Sequence, residues 1–106
     1  MNITPRELAQ RLGSTRPPRL LDVRQPEEHA HAAVPGSVLI PLGDLATRAN
    51  ELAGWQSEDV VVYCHHGMRS LRAIGLLRPL GFTRLINLTG GIDAWSLEVD
   101  PGVPRY

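Results

Sequence analysis

The feature that most constrains the fold is a run of apolar, mostly β-branched residues, Val60–Tyr63, followed at once by Cys64 and a loop with a glycine. A run that is apolar at every position is typical of a strand buried on both faces, as at the centre of a parallel sheet. Apolar residues then recur at helical spacing from Ser70 to Leu80, before Gly81. The order strand, loop, helix predicts an α/β fold.

The same alternation of strands and helices extends along the rest of the chain. The start has the pattern of a capping box, with Thr4 at the cap, Pro5 after it and Glu7 three residues beyond it. We therefore expect an α/β sandwich of three layers over residues 1–106 as one domain, with a mainly parallel central sheet, helices on both faces and ligands at the carboxyl ends of the strands. The predicted strands cover residues 19–23, 37–40, 60–63 and 85–88, and the predicted helices cover residues 4–12, 27–32, 44–53, 70–80 and 92–97.

Size and composition exclude several classes of protein. The chain has 106 residues, enough for one core, and its 11 basic residues equal its 11 acidic residues, so nothing indicates nucleic-acid binding. The first residues lack the pattern of a signal peptide, and no apolar run approaches the roughly 18 residues that span a bilayer. We expect a cytoplasmic monomer that binds neither membranes nor nucleic acid.

The basic residues are unevenly placed. Residues 60–92 contain no Asp or Glu, yet they include Arg69, Arg72, Arg78 and Arg84. This third of the chain is predicted to offer a positive surface to an anion.

The only cysteine, Cys64, begins a loop between the central strand and a helix. We call residues 64–70 the cysteine loop. Backbone N–H groups in such a loop can turn inward around a concavity that binds negative charge, and Gly67 allows the positive φ that this turn needs. The helix N-terminus, these amides and Arg69 would stabilise a thiolate or a persulfide on Cys64.

The cysteine loop resembles the active-site loop of the rhodanese family. The resemblance rests on the pattern Cys64-x-x-Gly67-x-Arg69-Ser70 after a valine-rich strand. It extends over nearly the whole chain, through the segments 21–28, 34–37, 40–42, 81–82, 88–95 and 102–104. One departure is visible at Ala33, because many members of the family have a histidine before the turn that follows.

The resemblance implies a thiosulfate sulfurtransferase that works without metal or organic cofactor. It would carry sulfane sulfur as a persulfide on Cys64, take it from a small anionic donor and pass it to cyanide, a thiol or a protein. Asp22 and Arg24, at the end of a predicted strand, are expected to pair with each other or with Glu28 and to support the loops. The predicted substrate-binding residues are His65, His66, Gly67, Met68, Arg69 and Ser70.

A metal site at the adjacent His65 and His66 is not expected. Neighbouring histidines on a tight loop are predicted to point in different directions, and zinc needs about three or four ligands. His29 and His31 are expected at exposed helical positions.

Two other functions stay open. A cysteine phosphatase or arsenate reductase would also use a cysteine in an anion-binding loop, but it places Arg six positions after Cys, where this chain has Ser70. A catalytically silent module of the same fold would bind a partner only, although such modules often lose the cysteine that this chain keeps.

Overall fold

The computed structural model describes residues 1–106 and has five parallel strands in the order β1-β5-β4-β2-β3. The predicted α/β class and the mainly parallel sheet are confirmed. The strands are β1 (Asn2–Ile3), β2 (Arg19–Asp22), β3 (Val38–Leu39), β4 (Val60–Tyr63) and β5 (Leu85–Leu88), and the α-helices are α1 (Pro5–Leu12), α2 (Pro26–His31), α3 (Leu45–Arg48), α4 (Met68–Leu77) and α5 (Gly91–Glu98). Short 3₁₀ helices cover Leu42–Asp44, Ala49–Trp55 and Arg78–Leu80.

The central strand β4 is buried at all four positions and divides the core into two halves. Val60 and Val62 pack with residues of α3 and α4 on one face of the sheet. Val61 and Tyr63 pack with residues of α1 and α5 on the other face. Helices therefore cover both faces, which explains why β4 is apolar throughout: each buried valine stabilises the fold by about 1.5–3 kcal/mol.

The structure differs from the prediction in two elements. The strand β1 was not predicted, because its two residues lie directly before α1 and pair only with β5. The predicted helix over 44–53 is instead a 3₁₀ turn, the four-residue helix α3 and a second 3₁₀ segment in which Leu52 has non-helical angles. Leu52 is buried, so its contact with the core outweighs the weak helical preference of this segment, which also contains Gly54.

The first helix follows its sequence signals closely. Thr4 accepts a hydrogen bond from the amide of Glu7, and the Glu7 carboxylate accepts one from the amide of Thr4. The predicted capping box is confirmed. None of the helices in the chain is both long and apolar enough to pass through a lipid bilayer.

Candidate functional site

Cys64 follows the last residue of β4 and is 1% exposed. Its carbonyl oxygen accepts a hydrogen bond of 2.9 Å from the amide of Ile92, and the next carbonyl, of His65, accepts one of 3.1 Å from the amide of Asp93. The first turn of α5 therefore holds the start of the cysteine loop. Gly91 permits this contact, since a Cβ atom there would lie 2.5 Å from the Cys64 carbonyl oxygen.

The thiol points into the loop, where two backbone amides meet it. The N–H of Gly67 donates to Sγ at 3.0 Å, and the N–H of Ser70 donates at 3.4 Å. Gly67 has φ +123°, a backbone conformation that side chains disfavour, and it precedes the first residue of α4. Two amides and a helix N-terminus thus face the sulfur and favour negative charge on it.

Ser70 closes the inner side of the loop. Its Oγ lies 3.7 Å from the Cys64 sulfur and donates to the Gly67 carbonyl oxygen at 2.8 Å. The same hydroxyl contacts Oδ1 of Asn87, a buried residue of β5. Asn87 was not singled out from the sequence, because an asparagine inside an apolar strand carries no signal of the loop that it supports.

Arg69 is held by an acid rather than standing free at the mouth of the loop. Its two terminal nitrogens donate to the two carboxylate oxygens of Glu28 at 2.6 and 2.9 Å. This pair lowers the pKa of Glu28 to about 2 and raises the pKa of Arg69. Arg84 is also paired with an acid, since its guanidinium lies 2.6 Å from Asp59. The positive surface over residues 60–92 stays a prediction.

Tyr106 covers one side of the cysteine loop, which the sequence did not indicate. Its ring stacks on His65 with centroids 4.1 Å apart and planes 9° apart. Its hydroxyl donates to Glu28 at 2.8 Å and accepts from Arg24 at 2.6 Å. Tyr106 therefore joins the loop to the pair of charges behind it, although 78 residues separate it from Glu28.

Asp22 and Arg24 form a fully buried ion pair at the carboxyl end of β2. Arg24 donates to both carboxylate oxygens of Asp22, at 2.9 and 2.7 Å, so their predicted pairing is confirmed. The alternative partner, Glu28, offers Arg24 only its backbone oxygen at 3.5 Å. Burial alone would lower the pKa of Arg24, but its bonds to Asp22 and Tyr106 raise it.

The histidines are arranged differently from what the sequence predicted. The rings of His65 and His66 stack with centroids 4.0 Å apart, so the expectation that they point apart is wrong. Burial, followed by the nearby charge of His66, lowers the pKa of His65 and favours its neutral form. His29 is half-buried because its Nδ1 lies 2.8 Å from Asp22, while His31 is exposed as expected.

One group of possible metal ligands lies beside the loop. A ligand atom from each of His65, His66 and Asp93 falls within 4.8 Å of the others. The two histidine rings stack on each other, and both oxygens of Asp93 already accept bonds from Arg105. These arrangements oppose a shared metal ion, and the absence of a metal stays a prediction.

The structure brings only part of the predicted site to the sulfur. Gly67 and Ser70 contact it directly. The other predicted residues lie around it: Arg69 pairs with Glu28, His65 and His66 stack at the rim, and the Met68 side chain is 70% exposed. The residues that sequence analysis missed come from distant segments, namely Glu28 as the partner of Arg69, Asn87, Gly91 and Tyr106.

Comparison with known proteins agrees with this geometry. The model of the rhodanese-like domain matches residues 4–98. A sulfurtransferase of Allochromatium vinosum is 37% identical over 94 residues, which cover 89% of this chain and 86% of that protein. The solved human single-domain sulfurtransferase TSTD1 superposes with a TM-score of 0.76 at 32% identity, over 92% of this chain and 96% of that one.

A third relative is a larger protein. The rhodanese-like/PpiC domain-containing protein 12 of Arabidopsis thaliana is 39% identical over 90 residues. The aligned region covers 83% of this chain but only 30% of the length of that protein. The parallel sheet, with a cysteine loop at its carboxyl edge, places this chain among the α/β proteins. The chain belongs to the rhodanese-like domain family, as the sequence resemblance predicted.

Proposed function

We propose that this protein is a sulfurtransferase that carries sulfane sulfur as a persulfide on Cys64. The observation that carries the proposal is the pair of amides, from Gly67 and Ser70, that donate to Sγ at 3.0 and 3.4 Å. These N–H dipoles point at the sulfur, where they would stabilise the negative charge of a persulfide. The membership of the family supports the same reaction class.

The first half-reaction loads the cysteine. The Cys64 thiolate attacks the outer sulfur of thiosulfate, a new S–S bond forms and the old S–S bond breaks. The bonding pair of the old bond leaves with sulfite, so the persulfide anion and sulfite carry the same total charge as the reactants. Amide donors aimed at the sulfur need no rearrangement during this step.

The second half-reaction transfers the outer sulfur from Cys64 to an acceptor. Cyanide, or a thiolate on a small molecule or a protein, attacks the outer sulfur of the persulfide, and Cys64 leaves as a thiolate. With cyanide the product is thiocyanate. Because the enzyme is modified between the two steps, ping-pong kinetics are expected.

Phosphoryl transfer is the strongest competing reaction, and Ser70 argues against it. In a cysteine phosphatase, the residue six positions after the cysteine is an arginine that binds the tetrahedral anion, whereas in this chain that residue is Ser70. Here that position carries a buried serine whose hydroxyl lies 3.7 Å from the sulfur. The one arginine of the loop, Arg69, is bound to Glu28 instead.

A silent module is the second competitor. Nothing would then require a thiol to accept two amide hydrogen bonds, since a buried serine or alanine would fill the same place at the end of β4. The retained thiol favours catalysis.

Intact mass before and after exposure to thiosulfate tests the proposal, with Cys64→Ser as the matched control. We expect the wild type alone to gain the mass of one sulfur atom and to release it to cyanide as thiocyanate. A gain on Cys64→Ser would place the sulfur elsewhere and contradict the mechanism. No gain on the wild type with any donor, together with burst release of phenol from an aryl phosphate, would support the phosphatase.

A further inference from the structure

Arg69, in the cysteine loop, forms an ion pair with Glu28 of α2. Arg69 lies one residue before Ser70, whose N–H donates to the Cys64 sulfur at 3.4 Å. The pKa of Arg69 is raised first by its hydrogen bonds with Glu28 and, to a smaller extent, by the charge of Cys64. The guanidinium is therefore within electrostatic reach of the sulfur. Its charge is nevertheless compensated by a carboxylate that binds both of its terminal nitrogens.

The carboxylate of Glu28 is itself held in place from three sides. It accepts hydrogen bonds from Arg69, from the hydroxyl of Tyr106 at 2.8 Å and from the amide of Gln25 at 3.0 Å. Tyr106 is in turn fixed by Arg24 and by its stack on His65. Glu28 is 18% exposed in its side chain, so this arrangement is partly shielded from solvent and weakly screened.

Two other basic side chains near the loop do not supply a free positive charge. Arg105 is bound to Asp93, and His65 favours its neutral form. A dianionic donor such as thiosulfate therefore meets amide dipoles and a neutralised ion pair rather than a free guanidinium. The neutralisation removes less Coulomb attraction from a donor with a smaller charge, because this attraction to Arg69 is proportional to the charge of the donor.

We propose that Glu28 is a specificity-determining positioning residue that withholds Arg69 from anionic donors, and that Tyr106 holds Glu28 in that position. This inference rests on the proposed sulfur transfer. It assigns the preference among donors to a residue of α2, outside the cysteine loop. The wild-type protein then favours monoanionic sulfane-sulfur donors over the thiosulfate dianion, relative to a variant without the carboxylate.

The test compares thiosulfate, a dianion, with methanethiosulfonate, a monoanion, in steady-state transfer to cyanide. In both reactions the Cys64 thiolate takes the outer sulfur, and sulfite or methanesulfinate leaves with the bonding pair. Glu28→Gln is expected to raise kcat/KM about tenfold for thiosulfate and about threefold for methanethiosulfonate. The reason is that the monoanion has half the charge of the dianion, so its Coulomb attraction to the freed guanidinium of Arg69 is half as large. Glu27→Gln, which changes an exposed neighbour on the same helix, is the matched control and should change neither.

Three further measurements separate this role from a merely structural one. The double variant Glu28→Gln/Arg69→Gln should lose the gain with thiosulfate, because the gain requires the freed guanidinium. Tyr106→Phe keeps the ring but removes the hydroxyl, and it should shift the ratio between donors in the same direction by a smaller factor. The thiosulfate kcat/KM of Glu28→Gln should also fall more steeply with salt than that of the wild type.

The outcomes distinguish this inference from the proposed function. If the wild type transfers sulfur but Glu28→Gln leaves the ratio between the two donors unchanged, or lowers both rates equally, only the role of Glu28 is overturned. If the double variant keeps the gain, the carboxylate acts by its own repulsion and does not withhold Arg69. If the wild type takes sulfur from neither donor, the sulfurtransferase proposal fails and this inference fails with it.

Discussion

The backbone N–H of Ile92 donates a hydrogen bond of 2.9 Å to the carbonyl oxygen of Cys64. This bond joins the first turn of α5 to the residue that carries the thiol. It requires the backbones of α5 and the cysteine loop to touch, and Gly91 is the residue at the point of contact. The reactive loop is therefore positioned by a helix 27 residues further along the chain as well as by β4.

Gly91→Ala should damage both stability and sulfur transfer. Gly91 has φ +62°, which alone costs an alanine roughly 1–2 kcal/mol, and the added Cβ would also clash with the carbonyl oxygens of Cys64 and His65. Gly54→Ala is the control, because φ there is not positive and no atom lies within 4 Å of the added Cβ. Urea unfolding and persulfide loading of both variants test this, and normal loading by Gly91→Ala would contradict the role of the contact.

Asp22→Asn should destabilise the protein by about 3–5 kcal/mol, because it leaves the guanidinium of Arg24 buried without its counter-charge. Both side chains of this pair are 0% exposed. Asp44→Asn removes a partner from an exposed pair at 3.9 Å with Arg48 and should cost less than about 1 kcal/mol. Equal free energies of unfolding for the two variants would show that the buried pair contributes no more than a surface pair.

The contribution of the Glu28 carboxylate to the stability of the fold should be lost as the pH falls. Its pKa is lowered from 4.5 to about 2, first by its hydrogen bonds with Arg69, so the carboxylate stabilises the folded state above about pH 4.5. That contribution is lost as the pH falls from 4.5 towards about 2. The difference in free energy of unfolding between wild type and Glu28→Gln should shrink over that range, whereas a constant difference would rule out the ionised pair as its source.

The stability that the Tyr63 hydroxyl contributes should be lost at high pH, whereas that of Glu28 is lost at low pH, and Tyr63→Phe should reveal this. Burial, with the charge of Asp22, raises the pKa of Tyr63 from 10 to about 12, so the neutral phenol stabilises the fold below pH 10 and this contribution is lost as the pH rises towards 12. The phenol accepts a hydrogen bond from the amide of Val34 at 3.2 Å and is bonded to Ser37 at 2.8 Å. Its removal should cost about 1–3 kcal/mol at pH 7.

Denaturant unfolding of wild type and Tyr63→Phe between pH 7 and pH 11 measures this dependence. The stability difference between them should narrow above pH 10. A difference that widens there would show that the ionised phenolate is better accommodated in the folded state than in the unfolded state.

Local patterns predicted most of the fold. The apolar run of β4, the capping box at Thr4 and the helical spacing after Ser70 each describe a preference that neighbouring residues impose on one another, and each is confirmed. The helix predicted over 44–53 is wrong because a tertiary contact, the burial of Leu52, outweighs the local preference there. The two-residue strand β1 is stabilised by its partner β5 and leaves no local pattern.

The sequence by itself determined the cysteine loop: a thiol after a buried strand, a glycine that permits positive φ and a helix whose first amides face the sulfur. The tertiary structure alone decided the charge around that loop. Arg69 is neutralised by Glu28, 41 residues away, and Tyr106 holds that carboxylate. Backbone hydrogen bonds within a loop follow from local spacing, whereas the partner of a long, flexible charged side chain depends on which distant segments the sheet brings together.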